Sequence, residues 1–555
     1  MPHVVVGSCC ADASCVLACP VNCIHPAPGE PGFAEAEMVY VDPATCVDCG
    51  ACTTACPADA IVPHTTLRAE QRRFLALNAE YFEVFGHADR TPLAQVPPQR
   101  RLRSRGPFRV AVIGAGPAGM YTADALLTHP EIAVDVYDRL PTPYGLVRFG
   151  VAPDHQQTKQ VADLFADIES LPGFRYLLNV EVGTHVDHDA LRAGYDAVIY
   201  TVGAASDRPL GIAGEELAGS LSATDFVGWY NGHPDKQDLA VEVDTERAVV
   251  IGNGNVALDV ARILSLDPDL LADTDIAALP LERLRRSQVR EVVVLGRRGP
   301  SQAAFTVPEL IGLSGLAEAG GINVVVDTGG LPIEGTGTKA RLLRELAERR
   351  PTPGRRTIVL RFGVSPLALH GDEQGRLTSL SLRRNEVVTD ADGRTRAVPT
   401  DEVEELATGL VLRAVGYRGL PIPGLGYDPV SGSVPHTEGR VEPGVYVAGW
   451  AKRGPSGFIG TNKTDAEETV ETLLDDLDAG VLRRPGGSDP AIAVRRAQPA
   501  HVDLAGWRAI DAEERRRGAL QGRVRVKIVD VEEAVRVAAT APRRSWRERL
   551  VPHGR

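Results

Sequence analysis

All nine cysteines of this 555-residue chain lie in one N-terminal stretch, between Cys9 and Cys56. The order of Cys and Cys-Pro in the later half of the stretch also occurs 37 residues earlier. The matching positions are Cys9 with Cys46, Cys15 with Cys52, and Cys19-Pro20 with Cys56-Pro57. A disulfide framework is disfavoured in a chain that otherwise lacks cysteine. Two related sets of thiolates are typical of two iron–sulfur clusters, so residues 1–64 are predicted to form an α+β dicluster fold.

The second repeat, Cys46-x2-Cys49-x2-Cys52-x3-Cys56, has the spacing of bacterial ferredoxins, in which the fourth cysteine crosses to the other cluster. A 4Fe–4S cluster is therefore predicted on Cys19, Cys46, Cys49 and Cys52. The first repeat has Asp12 in place of the second cysteine, and a carboxylate is a poor ligand for cluster iron. A 3Fe–4S cluster, or a second 4Fe–4S cluster with Asp12 or Cys10 as fourth ligand, is predicted on Cys9, Cys15 and Cys56. Cys23 is predicted to be a buried packing residue, and structural zinc is the alternative metal.

A strand, a glycine-rich turn and a helix follow at residues 109–127. Gly114 permits a tight turn, Gly116 lets a pyrophosphate approach the backbone, and Gly119 lets the helix pack closely on the strand. The helix N-terminus offers backbone N–H groups to the phosphates. The next strand ends at Asp138, whose carboxylate can accept hydrogen bonds from ribose hydroxyls. The spacing predicts a Rossmann-like α/β domain that binds a dinucleotide.

A second strand–turn–helix unit begins at residue 247. It differs from the first unit in the charge of the residues at the end of its next strand. The predicted cofactor-binding residues of this turn are Gly252, Asn253, Gly254, Asn255 and Val256. The following strand, 291–295, ends near Arg297 and Arg298 instead of an acid. An acid accepts a hydrogen bond from a free ribose 2′-hydroxyl, whereas paired guanidinium groups bind a 2′-phosphate. The second domain is therefore predicted to bind NADP(H) rather than NAD(H).

A third glycine-rich segment lies between the strand at 444–449 and a helix that begins near residue 464. Such a turn can place backbone N–H groups near the anionic edge of a flavin. Its predicted cofactor-binding residues are Trp450, Gly457, Phe458 and Ile459. Together with the turn at 114–119 it predicts a two-part flavin site, in a domain that the second dinucleotide domain interrupts.

On these motifs and the loop at 140–155, the chain resembles the adrenodoxin-reductase branch of ferredoxin–NADP reductases, in the form with a fused N-terminal ferredoxin. Its N-terminal module is similar to the seven-iron ferredoxins, although its first two cysteines are closer together. The resemblance implies a dicluster ferredoxin fused to a flavoprotein reductase with two dinucleotide-binding domains. The implied enzyme is an FAD-dependent ferredoxin–NADP(+) oxidoreductase. The residues implied to contact FAD are Ala118, Asp138, Leu146, Val182, Trp450, Gly457 and Ile459.

The resemblance also implies two catalytic residues. His155 would lie near the reactive edge of the flavin, and Glu309 would contact the nicotinamide half of NADP(H). Many relatives carry an acid three residues after this glutamate that can pair with the loop histidine. This chain has Gly312 at that position, so the ion pair of His155, and a role for it in proton transfer, are left open.

Six regions are expected along the chain. They are a ferredoxin module (1–64), a helical tail and Arg/Pro-rich linker (65–107), the first part of the FAD domain (108–210), the NADP domain (211–404), the second part of the FAD domain (405–485) and a C-terminal extension (486–555). The extension is expected to lie over the reductase.

Composition narrows the classes of partner. The net charge of −13 argues against nucleic-acid binding, and no run of 18 apolar residues predicts a membrane span. The N-terminus lacks the basic start and apolar core of a signal peptide, so a cytoplasmic location is expected. The expected partners are NADPH and the chain's own ferredoxin module. An external ferredoxin or a cytochrome P450-type haem monooxygenase is left open as a further acceptor.

Two other functions fit parts of the sequence. The small subunit of glutamate synthase also joins clusters to this reductase fold, but the ferredoxin spacing at 46–57 and the C-terminal extension argue against it. A redox carrier or sensor without turnover is disfavoured by the arginine pair at 297–298. Residues 1–64 contain seven acids and no Lys or Arg, whereas five arginines crowd residues 100–109. Those arginines either attract the acidic module or form a solvated linker.

Overall fold

The 37-residue repeat of the sequence is also a repeat of backbone conformation. A computed structural model describes residues 2–85, 99–204, 206–390, 392, 394–485 and 489–542. In the N-terminal module, the first strand of each repeat pairs antiparallel with the last strand of the other. Left-handed backbone recurs at the same offset, at Ala11 and Asp48, at Ala13 and Gly50, and at Asn22 and Asp59. The elements are β1 (His3–Val5), α1 (Ser14–Ala18), β2 (Ile24–His25), β3 (Tyr40–Val41), α2 (Ala51–Ala55) and β4 (Ile61–Pro63).

The tail of this module folds back on it as the helix α3 (Arg73–Val84), which buries Phe74 and Leu77. The side chain of Asn78, also buried, joins the two small sheets. Its Oδ1 accepts hydrogen bonds from the N–H groups of Val5 at 3.2 Å and Val41 at 2.9 Å. The helical tail predicted from residue 65 is therefore part of the module's core. The proline-rich stretch 91–98 lies outside the described residues.

The first part of the predicted FAD domain is a run of alternating strands and helices. Its central strands are buried on both faces, as expected for a parallel sheet covered by helices on both sides. Its elements are β5 (Phe108–Ile113), α4 (Pro117–Leu127), β6 (Ile132–Asp138), α5 (Leu146–Phe149), α6 (Gln156–Lys159), α7 (Val161–Ile168), β7 (Phe174–Leu178), α8 (His188–Gly194), β8 (Ala197–Tyr200) and β9 (Ser206–Asp207).

The predicted NADP domain contains a parallel six-stranded sheet and a separate antiparallel three-stranded sheet. The elements that precede its last strand are β10 (Ser220–Ser222), α9 (Ala223–Tyr230), β11 (Arg247–Ile251), α10 (Asn255–Ser265), α11 (Ala278–Arg285), β12 (Glu291–Gly296), α12 (Val307–Glu318), β13 (Asn323–Asp327), α13 (Thr338–Glu348), β14 (Thr357–Phe362), β15 (Val364–Gly371), β16 (Leu377–Thr389) and β17 (Thr395–Ala407).

The chain returns to the FAD domain later than the sequence predicts. The strand β18 (Leu410–Arg413) was expected in the FAD domain, within 405–485. It instead lies between β10 and β11, giving the order β10–β18–β11–β12–β14–β13. The crossing is made by β19 (Tyr417–Arg418), which pairs with β9. The prediction was wrong for β18 because a short apolar strand has the same pattern in either parallel sheet.

The second part of the FAD domain adds β20 (Arg440–Glu442), β21 (Val445–Val447), α14 (Trp450–Arg453) and α15 (Thr461–Ala479). The completed sheet has the order β20–β21–β8–β5–β6–β7. Arg100 contacts Glu471 at 2.7 Å, Asp475 at 2.9 Å and Asp478 at 3.1 Å on α15. This arginine of the predicted linker therefore binds the FAD domain. None of the described helices has the length and apolar character needed to cross a bilayer.

The C-terminal extension consists of α16 (Pro490–Ala497), α17 (Leu504–Ala519) and α18 (Val531–Ala538). Trp507 and Ile510 of α17 join the apolar core of the FAD domain. Beyond α17, Lys527 donates to the carbonyl oxygens of Arg148 at 3.1 Å and Asn231 at 2.9 Å. Because these two residues belong to the FAD and NADP domains respectively, the extension holds both.

A buried group of two lysines and one aspartate lies at this junction. Lys159 and Lys527 each approach Asp275 at 2.8 Å, and all three side chains are less than a tenth exposed. Burial lowers the pKa of both lysines. Burial alone would raise the pKa of Asp275, but the two lysines hold it far below its usual range. One carboxylate is therefore the counter-charge of two buried amines.

We expect Asp275→Asn to destabilise the protein by about 3–5 kcal/mol, because it leaves buried amines without a counter-charge. Lys527→Met should cost less, since Asp275 keeps Lys159 as its partner. Lys236→Met, which breaks a more exposed pair with Asp225, serves as a control at about 1 kcal/mol or less. Thermal unfolding followed by circular dichroism ranks the three, and equal losses for the first two would contradict the two-to-one arrangement.

Candidate functional site

The two glycine-rich turns have nearly the same geometry. Gly114 has φ 114° and Gly252 has φ 117°, both in the region that favours glycine. A Cβ atom at Gly114 would lie 2.9 Å from the carbonyl oxygen of Thr201, and one at Gly252 would lie 2.2 Å from that of Ala414. The first glycine of each turn therefore lets the chain pass directly against the next strand of its sheet.

The middle glycine of each turn faces open space. A Cβ at Gly116 would have no neighbour closer than 3.9 Å, and one at Gly254 would have none within 4 Å among the described residues. These glycines are the N-caps of α4 and α10, and no side chain in the described part of the chain caps either helix. Unpaired N–H groups at an open helix N-terminus are suited to bind phosphate. Gly119 has the packing role, since a Cβ there would lie 1.8 Å from the carbonyl oxygen of Gly114.

Asp138 joins the first turn to the loop after β6. Its Oδ2 accepts a hydrogen bond from the N–H of Ala115, and its Oδ1 accepts one from the N–H of Leu140, both at 2.9 Å. Burial raises the pKa of this carboxyl group, while the two hydrogen bonds act in the opposite direction. Part of its bonding capacity is therefore already used in fixing the turn.

The other predicted FAD residues of this half lie around the same turn. Ala118 is where the two parts of the domain meet, since a Cβ at Gly449 would lie 2.4 Å from the Cβ of Ala118. Leu146 begins α5 and directly follows Gly145, where a Cβ would lie 3.0 Å from the Cα of Gly116. Val182 packs against the apolar cluster that contains the end of β5. All of them except Ala118 are half-buried.

The two asparagine side chains of the second turn form hydrogen bonds with the segment that precedes α12. Asn255 Oδ1 accepts a hydrogen bond from the N–H of Thr306 at 2.8 Å, and Asn253 Oδ1 accepts one from Ala304 at 3.4 Å. Val256 packs partly buried against the domain core. The turn therefore holds the segment that leads into α12.

Arg297 and Arg298 follow β12, the strand next to the second turn, and both are exposed. Their backbone carbonyl oxygens accept hydrogen bonds from Asn385 and Gly363. This fixes the loop while its two guanidinium groups face solvent, where a phosphate can reach them.

The two nucleotide domains meet at the buried guanidinium of Arg262 on α10, which is 4% exposed. It binds the carboxylate of Asp154 and lies 2.9 Å from His155 Nε2, both in the FAD domain. It also binds Asp259 at 2.6 Å and lies 3.6 Å from Glu309, both in the NADP domain. Three carboxylates and an imidazole therefore surround one buried cation.

The two predicted catalytic residues come together in this cluster. Side-chain atoms of His155, Asp259 and Glu309 lie within 4.8 Å of one another. Burial raises the pKa of Glu309, and the charge of Asp259 adds to the rise. Burial would also raise the pKa of Asp154, but Arg262 and His155 outweigh it and the pKa falls. Although position 312 is glycine, His155 has carboxylates close by from α10 and from the first turn of α12.

The third glycine-rich segment lies between the predicted flavin site and the N-terminal module. Trp450 donates from Nε1 to the carbonyl oxygen of Ser456 at 3.1 Å, and its ring lies 5.2 Å from that of Tyr417. Gly457 has φ 81°. The hydroxyl of Thr461 accepts a hydrogen bond from the N–H of Phe458 at 2.9 Å. Phe458 and Ile459 are half-buried, and Gly457 is exposed.

The end of this segment contacts the first cysteine set directly. Gly460 donates its N–H to the carbonyl oxygen of Cys10 at 2.7 Å. A Cβ at Gly460 would lie 2.1 Å from the backbone nitrogen of Asp12, so no side chain fits between the two domains. Lys463 donates to Ser14 Oγ at 3.0 Å, and Ser14 donates in turn to the carboxylate of Asp12. The N-terminal module is thus docked on the FAD domain through its first cysteine repeat.

The second cysteine set lines one small cavity. The predicted ligands Cys19, Cys46, Cys49 and Cys52 all face it. Cys23 faces it too, with its Sγ 3.4 Å from that of Cys19, so it is more than the packing residue that the sequence predicts. The N–H of Cys23 donates to the sulfur of Cys19 at 3.3 Å. The N–H of Ala60 makes the same contact to Cys56 in the other repeat.

The first cysteine set includes a carboxylate. Burial raises the pKa of Cys9, Cys15 and Cys56, and in each case the charge of Asp12 adds to the rise. The Asp12 carboxylate therefore lies near all three thiols. Cys10 is buried beside them and its pKa is raised by the same causes. The structure brings together the three predicted ligands and both candidates for a fourth.

Sequence reasoning missed Asp259 and Arg262. A signal for both is present: they are charged residues at helical spacing on the apolar helix that follows the second turn. Glu37 was also missed; its Oε2 accepts a hydrogen bond from the N–H of Val307, in another domain, at 2.9 Å. No local pattern marks such a contact.

Two family models match parts of the chain. The pyridine nucleotide-disulphide oxidoreductase model matches residues 108–267, and the 4Fe-4S binding domain model matches residues 39–62. The first match covers both glycine-rich nucleotide turns, and the second covers the second cysteine repeat.

Relatives of known name match over most of the chain. A protein of Mycobacterium tuberculosis named probable ferredoxin/ferredoxin–NADP reductase is 49% identical, over 99% of this chain and 97% of its own. The human mitochondrial NADPH:adrenodoxin oxidoreductase is 42% identical, over 77% of this chain and 91% of its own. The solved structure of Mycobacterium tuberculosis FprA in complex with NADPH is 46% identical, over 78% of this chain and all of its own, with a TM-score of 0.74.

The first of these relatives spans the cysteine repeats as well as both nucleotide domains, so the likeness covers the whole architecture. The chain therefore belongs to the ferredoxin–NADP reductase family and is an FAD-dependent oxidoreductase with its own iron–sulfur domain.

Proposed function

We propose that the chain passes electrons from NADPH through FAD to its own N-terminal module, whose first cysteine set faces the flavin. The contact of Gly460 with Cys10 and Asp12 carries this proposal, because it places that cysteine set against the predicted flavin-binding turn. When bound, FAD supplies the ability to take a hydride as an electron pair and to release the electrons singly to one-electron carriers.

The residues present fit FAD. The open N-terminus of α4 at Gly116 suits the pyrophosphate, and Asp138 suits the ribose beside it. Ala118, Leu146, Val182, Trp450, Gly457, Phe458 and Ile459 would line the remainder of the site. The turn at 457–459 precedes α15, whose N-terminus is not capped by any side chain that the structure describes. That helix end would favour negative charge on a reduced flavin.

NADP(H) would bind along the second turn. The open N-terminus of α10 at Gly254 suits its pyrophosphate, and Arg297 with Arg298 suits its 2′-phosphate. Gly252, Asn253, Asn255 and Val256 would shape the turn. Glu309, at the start of α12, would contact the nicotinamide half.

His155 and Glu309 would act together at the meeting point of the two nucleotides. Arg262 lies between the two domains and holds the loop that carries His155 against α10. Asp259 supplies a carboxylate close to His155, in place of the family acid that Gly312 replaces. We assign to His155 and Glu309 the orientation of the nicotinamide relative to the flavin.

The cysteine sets fit iron–sulfur clusters. Cys19, Cys46, Cys49 and Cys52 would hold a 4Fe–4S cluster in the cavity that they line. Cys9, Cys15 and Cys56 would hold a 3Fe–4S cluster. Asp12 is engaged by Ser14, which Lys463 holds in turn, and this favours a carboxylate that serves the interface over one that binds iron.

An external ferredoxin or a cytochrome P450-type haem monooxygenase would take electrons from the second cysteine set. Cys49 is exposed, and its neighbour Val47 is 59% exposed, so this set lies nearer the surface. A reducing, cytoplasmic compartment suits a chain whose cysteines would all be reduced. We propose that the N-terminal module extends through α3, that further domain boundaries lie at 107 and 485, and that the NADP domain runs from 211 to the crossing at β19.

The arginine pair should set the choice of nucleotide. We expect Arg297→Ala combined with Arg298→Ala to raise KM for NADPH about 100-fold, because two charge-assisted hydrogen bonds to the 2′-phosphate are lost. KM for NADH, which lacks this phosphate, should stay unchanged. Steady-state reduction of ferricyanide measures both constants. Arg286→Ala, at an exposed arginine of the same domain, is the control, and an equal loss with NADH would refute the assignment.

The dependence of kcat/KM on pH should report the protonation of Glu309. Because burial and Asp259 raise its pKa, the carboxylate form is lost at a higher pH than for an exposed glutamate. We therefore expect kcat/KM for NADPH to fall in acid as Glu309 is protonated. Glu309→Gln should remove this fall of kcat/KM in acid, the acid limb of the profile. Asp259→Asn should move it to lower pH, because it removes the repulsion that raises the pKa.

The exposed Glu282→Gln is the matched control for this profile. An acid limb that persists unchanged in Glu309→Gln would show that another group titrates.

The metal content should distinguish the two forms of the first cluster. We expect about seven irons per FAD in anaerobically purified protein and an oxidised three-iron EPR signal before any reduction. Asp12→Cys supplies a fourth thiolate, so it should raise the iron content to about eight and remove that signal. Asp12→Asn and Cys10→Ser should change neither. Eight irons in the unaltered protein would make Asp12 or Cys10 a ligand, and zinc without iron would exclude electron transfer by this module.

A further inference from the structure

Helix α12, which carries Glu309, begins against a carboxylate from the N-terminal module. The N–H of Val307, the first residue of α12, donates to Glu37 Oε2 at 2.9 Å. The first N–H groups of a helix have no partner within the helix itself. The helix supplies one cap of its own, because Thr306 Oγ1 accepts the N–H of Glu309 at 3.4 Å. The second partner comes from a different domain.

The segment that leads into α12 is fixed on its other sides by the NADP domain. Lys339 donates to the carbonyl oxygens of Ala303 at 2.6 Å and Phe305 at 2.8 Å. Asn255, from the nucleotide turn itself, accepts the N–H of Thr306. Asn253, from the same turn, accepts the N–H of Ala304. Glu37 is therefore one of four side chains that fix the residues just before Glu309, and of these four it alone comes from outside the NADP domain.

The N-terminal module holds α12 at its other end as well. Arg73 of α3 contacts Glu318, the last residue of α12, at 2.6 Å and Glu345 of α13 at 2.9 Å. Glu80 accepts the N–H of Thr338, at the start of α13, at 3.0 Å. These contacts fix the module relative to α12, and they therefore help to hold Glu37 beside Val307.

We infer that Glu37 is a positioning residue for the NADP(H) site: it fixes the first turn of α12 and so sets the place of Glu309. The inference rests on the proposed contact between Glu309 and the nicotinamide. It means that the ferredoxin module, beyond carrying electrons, completes the nucleotide site of the reductase. NADP(H) affinity then depends on a residue of the electron-accepting domain.

The test is NADP⁺ binding to the full-length holoenzyme, titrated through the flavin difference spectrum. Glu37→Ala should weaken binding about three- to ten-fold, the effect expected from loss of one helix cap. KM for NADPH should rise by the same factor, and kcat with ferricyanide should fall by a smaller factor than KM rises. Glu37→Gln keeps an acceptor oxygen and should restore most of the affinity. Glu35→Ala, at an exposed residue of the same loop, is the matched control.

Two further variants separate the possible failures. Val307→Pro removes the N–H instead of the carboxylate, at a helix position that tolerates proline, and should weaken NADP⁺ binding to the same extent as Glu37→Ala. In a Glu309→Gln background, Glu37→Ala should weaken NADP⁺ binding little further, because Glu37 acts through Glu309. Binding equal to that of Glu35→Ala in both Glu37→Ala and Val307→Pro overturns the inference. If Glu309→Gln also binds normally, the proposed role of Glu309 fails instead.

Discussion

The guanidinium of Arg262 sets the relation between the two nucleotide domains. It is buried where they meet and binds Asp154 from one side and Asp259 from the other. A buried cation is tolerated only when carboxylates surround it, so its partners on both sides are held in place. Arg262 lies on the helix that begins at the second glycine-rich turn, and Asp154 lies in the loop between α5 and α6. One interaction thereby aligns the two turns, and the placing of His155 and Glu309 follows from it.

Much of this architecture could be predicted from the sequence because its motifs are local. Each glycine-rich turn requires glycine at fixed short spacings, and the structure shows a reason at each position. The space at Gly114 is closed, that at Gly116 is open, and Gly119 packs against the turn. The cysteine repeat is equally local, and its offset recurs in the backbone at Ala11 and Asp48.

The rest could not be predicted, because it depends on contacts between residues far apart in the chain. The acidic loop that holds Glu37 looks like any solvated loop until it is placed beside α12. The apolar strand β18 has a pattern that suits either parallel sheet, and only its pairing with β11 decides. At Gly312 the sequence shows that the family acid is missing. It does not show that Asp259, on another helix, supplies a carboxylate close to His155.

The N-terminal module touches both nucleotide domains, at Gly460 in the FAD domain and at Val307 in the NADP domain. A free ferredoxin meets its reductase by diffusion, at a rate that depends on both protein concentrations and on ionic strength. In this chain a standing contact replaces that encounter, so electron delivery along the proposed internal route would be a first-order event within one molecule. On that route dilution could not separate donor from acceptor, and each flavin would have one acceptor module of its own.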